Sequence, residues 1–446
     1  MIILGIGSNL GDRLHNMREA LHLLSKVPEI SILQVAPVYE SDAMLPENSK
    51  TEWNIPYLNT AVSCNTSLSP LQFLDKLKKI EKQIGRPDDY ERWSPRLIDI
   101  DILTWHDEVI KQEQLNIPQK NLINRPFAMW PIADLNPNWQ YLLPEENAQG
   151  LLAKEVVKPW GSRFAGKGLF HTKQIAHRID GAQIVGALNI TPNSFSDGGK
   201  FVTVKTAVAQ AAELFHVGAD IIDIGAESTR PRGTAITSAE EWLRLEKILP
   251  AILDFWKGKN FKPKISIDTR RAEIAKKVIA LGVDWINDVE GFKDAKIREV
   301  VKDADIKLVF MHSLTIPVDP NVILNSRKDI IAQLNDWAIE RIKLIESSGI
   351  DRARLIFDPG VGFGKDAPQS FEIIKRCGEF QNLNLPILIG HSRKSFMNIF
   401  TDKPFRDRDV ETVAMNEHLE RQKVDYIRVH NADFTMRAKR ITQALK

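Results

Sequence analysis

Two aspartates one residue apart, in Leu97-Ile98-Asp99-Ile100-Asp101-Ile102-Leu103, make the sharpest chemical signal in the chain. Strand side chains alternate faces, so Asp99 and Asp101 project together while the isoleucines turn toward a core. Such a carboxylate pair suits two Mg²⁺ ions held between polyphosphate oxygens. Taken alone, the segment also describes an ordinary half-buried strand with a wet acidic face. Just upstream stand Arg86, Arg92, Trp93 and Arg96. Guanidinium groups match phosphate geometry, and beside a carboxylate pair that use is favoured over plain solvation.

A second constellation is spread along the later part of the chain. Short β-rich runs at Ile184–Ile190, Asp220–Ile224, Pro263–Ile267, Asp284–Asp288, Ile306–Phe310, Arg354–Phe357, Pro386–Ile389 and Asp425–Val429 alternate with helical segments. The helices include Ser238–Trp256, Arg327–Ser347 and Val410–Gln422. Eight βα units in about 260 residues predict a TIM barrel, whose chemistry sits where the strands end. Those ends carry Asn189, Asp223, Asp268, Asn287-Asp288, Met311-His312, Asp358, Ser392-Arg393-Lys394 and Arg428-Val429-His430. One polar strand end is usually a cap or a turn; a full ring of them is not incidental. Asp and Asn can read a donor-rich heterocycle edge. Lys394, Arg428 and His430 make an anion pocket after strands seven and eight, where barrels often hold phosphate. The loops Thr191–Gly199 and Glu227–Pro231 at the same face are candidate lids.

The acidic pair needs its own scaffold, and residues 1–160 supply an α+β unit. Met1–Gly7, Ile30–Tyr39, Tyr57–Thr66 and Leu97–Trp105 read as strands. Leu14, Met17, Leu21 and Leu24 recur at helical spacing. Ser69-Pro70 opens a second helix through Leu71, Leu74, Leu77, Ile80 and Ile84. The order βαββαβ predicts a ferredoxin-like sheet with helices on one face. A short helix near Phe127–Leu135 follows. Gly161, Gly166 and Gly168 then punctuate a basic stretch that reads as a linker. A lead-in hairpin at about 169–181 is expected to open the barrel domain, 169–446.

Composition removes several function classes. The 446 residues carry 60 basic and 58 acidic side chains, for a net charge of +2. That balance argues against a general nucleic-acid or membrane-surface binder. Cys64 and Cys377 are too far apart in sequence for metal-ligand spacing, and two cysteines make no disulfide framework. They fit a reducing cytosol. Apolar runs such as Leu385–Ile389 stop far short of the ~20 residues of a membrane span. Met1–Gly5 leads in with neither a basic leader nor an arginine-rich transit pattern, so a cytoplasmic location is expected.

Residues 1 to about 160 resemble 6-hydroxymethyl-7,8-dihydropterin pyrophosphokinase. The likeness rests on Gly5-Ile6-Gly7-Ser8-Asn9-Leu10, Tyr57-Leu58-Asn59, Glu91-Arg92-Trp93-Ser94-Pro95-Arg96, Asp99-Ile100-Asp101 and Arg125-Pro126-Phe127. It implies transfer of diphosphate from ATP to the pterin, releasing AMP, with two Mg²⁺ on Asp99 and Asp101. It implies a pterin held between Tyr57 and Phe127 and read by Asn59. Arg86, Arg96 and Arg125 would meet phosphates and the pterin pocket, with Glu81, Arg92, Trp93 and Gln119 at the nucleotide. Gln119 stands where the family usually has a histidine, and carries no charge. Phosphoryl transfer of this kind needs positioning and charge neutralisation more than covalent help.

Residues from about 178 resemble dihydropteroate synthase. Leu188–Pro192, Ser194–Gly199, Glu227–Pro231, Ser266–Thr269, Ile286–Asp288, Asp358–Gly360 with Phe363–Lys365, Ser392–Ser395 and Ile427–His430 occur in order. The likeness implies a pterin held by Asp268, Asn287, Asp358 and a catalytic Lys394. Asn189, Arg428 and His430 would hold the diphosphate, with one Mg²⁺ near Asn189. Thr229, Arg230, Pro231, Phe363 and Ser392 would border p-aminobenzoate, whose amine replaces the pterin diphosphate. Asn193 and His391 depart from the family's usual residues. A homodimer through the barrel is the protein partner implied. A folate-binding methyl-transfer barrel would share the acids, but needs no diphosphate pocket, and Thr229-Arg230-Pro231 with Ser392-Arg393-Lys394 speaks against it. The chain is therefore expected to perform both steps in succession, the product of the first feeding the second.

Overall fold

The computed structural model describes the chain except Asp88, Arg92, 142–149, 167–168, 192–202, 228–234, Asn260 and 445–446, and the side chains of residues 169, 443 and 444. The calls on Arg92, Asn193, Thr229, Arg230, Pro231 and most of both candidate lids thus lie outside the described residues.

Ile2–Ser8 is central in an antiparallel sheet, pairing with Tyr57–Thr66 on one side and Asp99–Trp105 on the other. Ile30–Val35 and Tyr39–Ser41 both pair with the outer edge of Tyr57–Thr66. Helices Arg13–Ser25 and Pro70–Gln83 make the two crossovers, so the βαββαβ order gives the ferredoxin-like arrangement. Helix Pro70–Gln83 starts as its sequence implies, with the Ser69 N–H donating to Gln72 Oε1 at 3.0 Å. Ile30–Tyr39, expected as one strand, is two. Pro37 has no N–H to give the ladder, so pairing lapses after Val35 and resumes at Tyr39 against the same partner.

The chain divides into two compact units, Met1–Asp180 and Gly181–Lys446. No lead-in hairpin forms among the described residues of 169–181. Instead Lys173–Gln174 adds a strand to Tyr39–Glu40, and the Ile175 N–H donates to Val38 O at 2.9 Å. Those residues belong to the first unit.

The second unit is a parallel eight-stranded barrel of Gln183–Asn189, Ile221–Gly225, Lys264–Asp268, Trp285–Asp288, Lys307–Met311, Leu355–Asp358, Leu388–Ile389 and Tyr426–Val429. A parallel bridge between Phe357 and Ile387 joins the sixth strand to the seventh and closes the ring. The predicted helix Ser238–Trp256 is interrupted, forming Ser238–Leu245 and Ile248–Trp256. Along each strand, alternation separates two jobs. Ile222, Ile224, Ile265, Ile267, Ile286 and Leu308 face the helices in the main core. Val185, Ile221, Trp285, Val309, Ile356 and Leu388 meet inside the barrel as a second apolar cluster. With a period of two, the next inward side chain on each strand lies one layer nearer the C-terminal mouth. Both cysteines are buried and free. No helix among the described residues is long and apolar enough to cross a membrane.

Candidate functional site

In the first unit, the central strand places glycines where a ligand would lie. Gly7 sits between Asn59 and Asp99, and Gly5 between Ala61 and Asp101, in register across three strands. Directly opposed residues share a face, so both aspartates, Asn59 and Tyr57 overlook a floor without side chains. A Cβ on Gly7 would stand 3.1 Å from Asn59 Oδ1. Over this floor opens a pocket of about 120 Å³ lined by Tyr57, Asn59, Trp93, Arg96, Asp99, Asp101, Gln119, Arg125 and Phe127. Nine of the residues expected in the site are therefore brought together. Tyr57 and Phe127 both line it, as two walls for a flat ring require.

Arg86 and Glu81 are not among the lining residues. Glu81 is 1% exposed and accepts the Ile100 N–H at 2.6 Å. Arg86 bridges it to the acidic pair, reaching Glu81 Oε2 at 2.9 Å and Asp99 Oδ1 at 2.6 Å. Arg96 meets the other Asp99 oxygen at 3.1 Å. Burial acts to raise the Asp99 carboxyl, but Arg96 and Arg86 outweigh it and hold it below its usual range. Among the described residues no guanidinium bonds Asp101, whose partner is the Gln119 amide. Burial and the neighbouring Asp99 push it up to about 6. A divalent cation would relieve that repulsion, so the pair fits one. Among the described residues no cluster of three or more His, Cys, Asp or Glu offers a complete metal cage. Two carboxylates with substrate phosphates completing the shell is a known way of binding Mg²⁺.

Gln119 is more than a missing charge. Its amide donates to Asp101 Oδ2 at 2.7 Å and accepts from Arg125 at 3.0 Å, tying the acidic pair to the pocket's arginine. One residue went unassigned in the sequence. Asn9, 1% exposed, accepts the Arg96 N–H at 2.8 Å and donates to Ile55 O at 3.3 Å, so it pins two loops of the pocket together. The sequence signals were the polar Ser8-Asn9 pair directly after an apolar strand and its place in the Gly5–Leu10 motif.

In the barrel, the inward polar layer gathers the expected strand ends. Its hub is Asp223, noted as a strand end but given no role in the sequence. Asp223 accepts from Ser266 Oγ at 2.6 Å, from Asn287 at 3.4 Å and from Arg428 Nε at 2.6 Å. Arg428 also lies 3.8 Å from Asp268. Burial, then Asp223, pushes the Asp268 carboxyl up to about 8. Asn287 Oδ1 is buried without a partner. That is an open acceptor in a layer of acids and amides, and a donor-rich ligand would satisfy it. Asn189 Oδ1 lies beside Gly225, 3.5 Å from where a Cβ there would stand, with Asp268 at 3.8 Å on the other side.

The loop after strand six folds against strand five. Its Gly360, Gly362 and Gly364 all have positive φ. Lys365, 6% exposed, locks the loop by meeting His312 Nδ1 at 2.7 Å and donating to Phe363 O at 2.9 Å. Lys394 Nζ donates to Val361 O at 2.6 Å and sits 4.7 Å from the Phe363 ring centroid. Burial lowers its ammonium to about 8, although Asp358 opposes this. Asp358 itself is raised by burial and accepts the Gly360 N–H at 2.7 Å. Across the mouth, Ser392 Oγ accepts the His430 N–H at 3.2 Å and contacts its Nδ1 at 3.1 Å. His391 is wholly buried, with Nε2 3.0 Å from Thr412 O, and does not face this pocket's ligands.

Comparison with known proteins divides the chain between the same two parts. Residues 3–137 match the family of 7,8-dihydro-6-hydroxymethylpterin pyrophosphokinases, and residues 185–430 match the pterin binding enzymes. A folate synthesis bifunctional protein of Chlamydia caviae is 35% identical over 98% of this chain and 96% of its own. Another, from Arabidopsis thaliana, is 32% identical over 100% of this chain and 96% of its own. Dihydropteroate synthase of Anaplasma phagocytophilum, solved with 6-hydroxymethylpterin-monophosphate, superposes with a TM-score of 0.54 at 33% identity, covering 60% of this chain and 100% of that one. The Xanthomonas albilineans synthase in complex with 7,8-dihydropteroate gives a TM-score of 0.53 at 29% identity, over 60% and 94%. The chain belongs to the bifunctional folate synthesis proteins, which join a hydroxymethyldihydropterin pyrophosphokinase to a dihydropteroate synthase.

Proposed function

We propose a division of labour among named side chains for the two reactions. In the first unit, Tyr57 and Phe127 hold 6-hydroxymethyl-7,8-dihydropterin with Asn59 at its edge. Arg96, Arg125 and Trp93 line the path of the ATP phosphates, and Asp99 and Asp101 hold two Mg²⁺. When bound, those ions neutralise the phosphate charge so that the pterin hydroxyl can displace AMP. Glu81 and Arg86 act from behind, fixing Asp99. Gln119 keeps Asp101 and Arg125 in a common frame, while Arg92 falls outside the described residues.

In the barrel, Asp268, Asn287, Asp358 and Lys394 hold the pterin ring. Arg428, His430 and Asn189 receive the diphosphate, with one Mg²⁺ near Asn189. Phe363 and Ser392 border p-aminobenzoate, as Thr229, Arg230 and Pro231 would from the undescribed loop. Cationic groups around a departing diphosphate lower the barrier to its loss, and the aniline nitrogen then takes its place on the pterin methylene. The observation that carries this reading is the layered barrel interior, apolar beneath and polar at the mouth, with Asn287 Oδ1 left as an open acceptor.

A homodimer through the barrel is supported by an apolar groove between helices Ala367–Arg376 and Asp409–Arg421. Phe371, Ile374, Phe400 and Met415 line it, and Val410 at its rim is 75% exposed. The site assignment is tested by supplying ATP, Mg²⁺, hydroxymethyldihydropterin and p-aminobenzoate, then following AMP and dihydropteroate together. Asp99→Ala or Asp101→Ala should abolish AMP release while dihydropteroate still forms from supplied pterin diphosphate. Lys394→Ala should do the reverse. AMP release undiminished by both aspartate variants would remove the metal assignment.

A further inference from the structure

Arg393, between Ser392 and Lys394, has a φ of 59°. A side chain with a Cβ avoids this left-handed backbone unless its surroundings impose it. Here they do. The Arg393 guanidinium forms a two-pronged pair with Asp409, Nε to Oδ1 at 2.7 Å and the second nitrogen to Oδ2 at 2.8 Å. Its N–H donates to Thr412 Oγ1 at 3.2 Å. Arg408 adds a bond to Lys394 O at 2.9 Å. The first turn of helix Asp409–Arg421 thus sets the turn that presents Ser392 and Lys394.

The same carboxylate holds the neighbouring loop. Asp409 Oδ2 accepts from Asn431 Nδ2 at 2.9 Å. Asn431 follows His430, and its Oδ1 accepts the Phe434 N–H at 3.1 Å, fixing the start of helix Ala432–Ala444. Both carboxylate oxygens are therefore aimed at other segments. One side chain, 9% exposed, spans the loops after the seventh and eighth strands. These loops also meet directly through Ser392 and His430.

We propose that Asp409 is a positioning residue of the synthase reaction: through Arg393 and Asn431 it sets the spacing between Lys394 and His430, which share the anion pocket at the ends of the seventh and eighth strands. Asp409 touches no substrate. Lys394 stands between ring and anion, so the effect should fall first on the anion, because Asp268, Asn287 and Asp358 hold the ring from strands that Asp409 does not touch. The inference rests on the reading of that pocket as the diphosphate site.

The test uses the full chain and the synthase reaction with pterin diphosphate and p-aminobenzoate supplied. Asp409→Asn keeps size and shape but breaks the charged fork. KM for pterin diphosphate and the inhibition constant of inorganic diphosphate should both rise tenfold or more. kcat should stay within about threefold, and the inhibition constant of 6-hydroxymethylpterin within twofold. Asn431→Ala removes one prong and should shift the diphosphate constants in the same direction by less. A general loss of folded protein would lower apparent kcat and leave both inhibition constants alone, and a general loosening of the barrel mouth would raise both in parallel; either result overturns the proposal. Should Asp409→Asn fail to fold, Asn431→Ala decides on the same two constants. Arg428→Ala and His430→Ala separate the two levels. If neither weakens diphosphate, the pocket reading itself fails; if both do and Asp409→Asn does not, only the positioning role fails.

Discussion

Asp268 lies beside Asp223, and only one of the two has a close cation. Arg428 Nε is 2.6 Å from Asp223, whereas its nearest approach to Asp268 is 3.8 Å. The Asp268 carboxyl is raised to about 8 by burial and by the neighbouring Asp223. Free protein at pH 7 carries it mostly protonated. A pterin edge presents N–H donors, and an ionised carboxylate accepts them far better than an acid does. Binding should select the ionised form and release a proton. The sign follows: affinity for 6-hydroxymethylpterin at the synthase should climb from pH 6 to about pH 8 and level off above it. Below pH 8 the slope approaches about tenfold per pH unit for one proton released. Asp268→Asn should flatten the profile, which is read as the inhibition constant against pH. A flat profile in the unaltered protein would refute the protonated resting state.

At the scale of elements, glycine marks where backbone approaches backbone. Gly360 has a φ of 66°, and a Cβ there would lie 1.9 Å from His312 O. Gly258 has a similar φ of 74° but nothing within 4 Å. Alanine at Gly258 meets only the left-handed penalty, about 1–2 kcal/mol. Alanine at Gly360 must also push the Asp358–Lys365 loop off strand five, for a loss of roughly 3 kcal/mol or more. Thermal denaturation of the two variants should separate them, and synthase turnover should fall only for Gly360→Ala. Equal losses would mean the loop yields freely. Much at this scale was legible in the sequence. Barrel strands are buried on both faces, so they read as apolar runs, and their polar ends named most of the mouth. What stayed hidden depended on partners distant in sequence. Asp223 became a hub only once register put Ser266, Asn287 and Arg428 around it. Gln119 looked like a lost charge until its two neighbours were visible. The hairpin expected at about 169–181 assumed a local partner for Lys173–Gln174, whereas its partner lies at Tyr39–Glu40.

That last pairing decides where the molecule can be cut. A linker at 161–168 suggests severing near residue 165, but the chain beyond it is still bound into the first unit. Arg163 bonds to Asp134 beneath Tyr39, and the Gln174 N–H donates to Arg163 O at 2.7 Å. Arg178 donates to Val35 O at 2.7 Å, and Arg18 to Arg178 O at 3.0 Å. From Gly181 the allegiance changes: Lys439 donates to Ala182 O at 2.7 Å, and the Gln183 N–H to Asp425 O at 2.8 Å. Each unit has its own core and its own set of site residues, so each should fold alone when cut at this boundary. Fragments 1–180 and 181–446 should be soluble, the first releasing AMP and the second making dihydropteroate. A fragment ending at residue 165 strips the edge from Tyr39–Ser41 and should be less stable than 1–180 by a few kcal/mol, the scale of several buried hydrogen bonds at about 1 kcal/mol each. Mixed 1–180 and 181–446 should restore the two-step conversion, with pterin diphosphate passing through solvent. The intermediate's route in the intact chain is read with a barrel variant that binds pterin but cannot turn over. In excess, it should slow dihydropteroate formation by capturing released intermediate. Unslowed turnover, with free pterin diphosphate never detected, would mean that the intermediate passes between the units without entering solvent, and that the two activities are not separable in the way the cut implies.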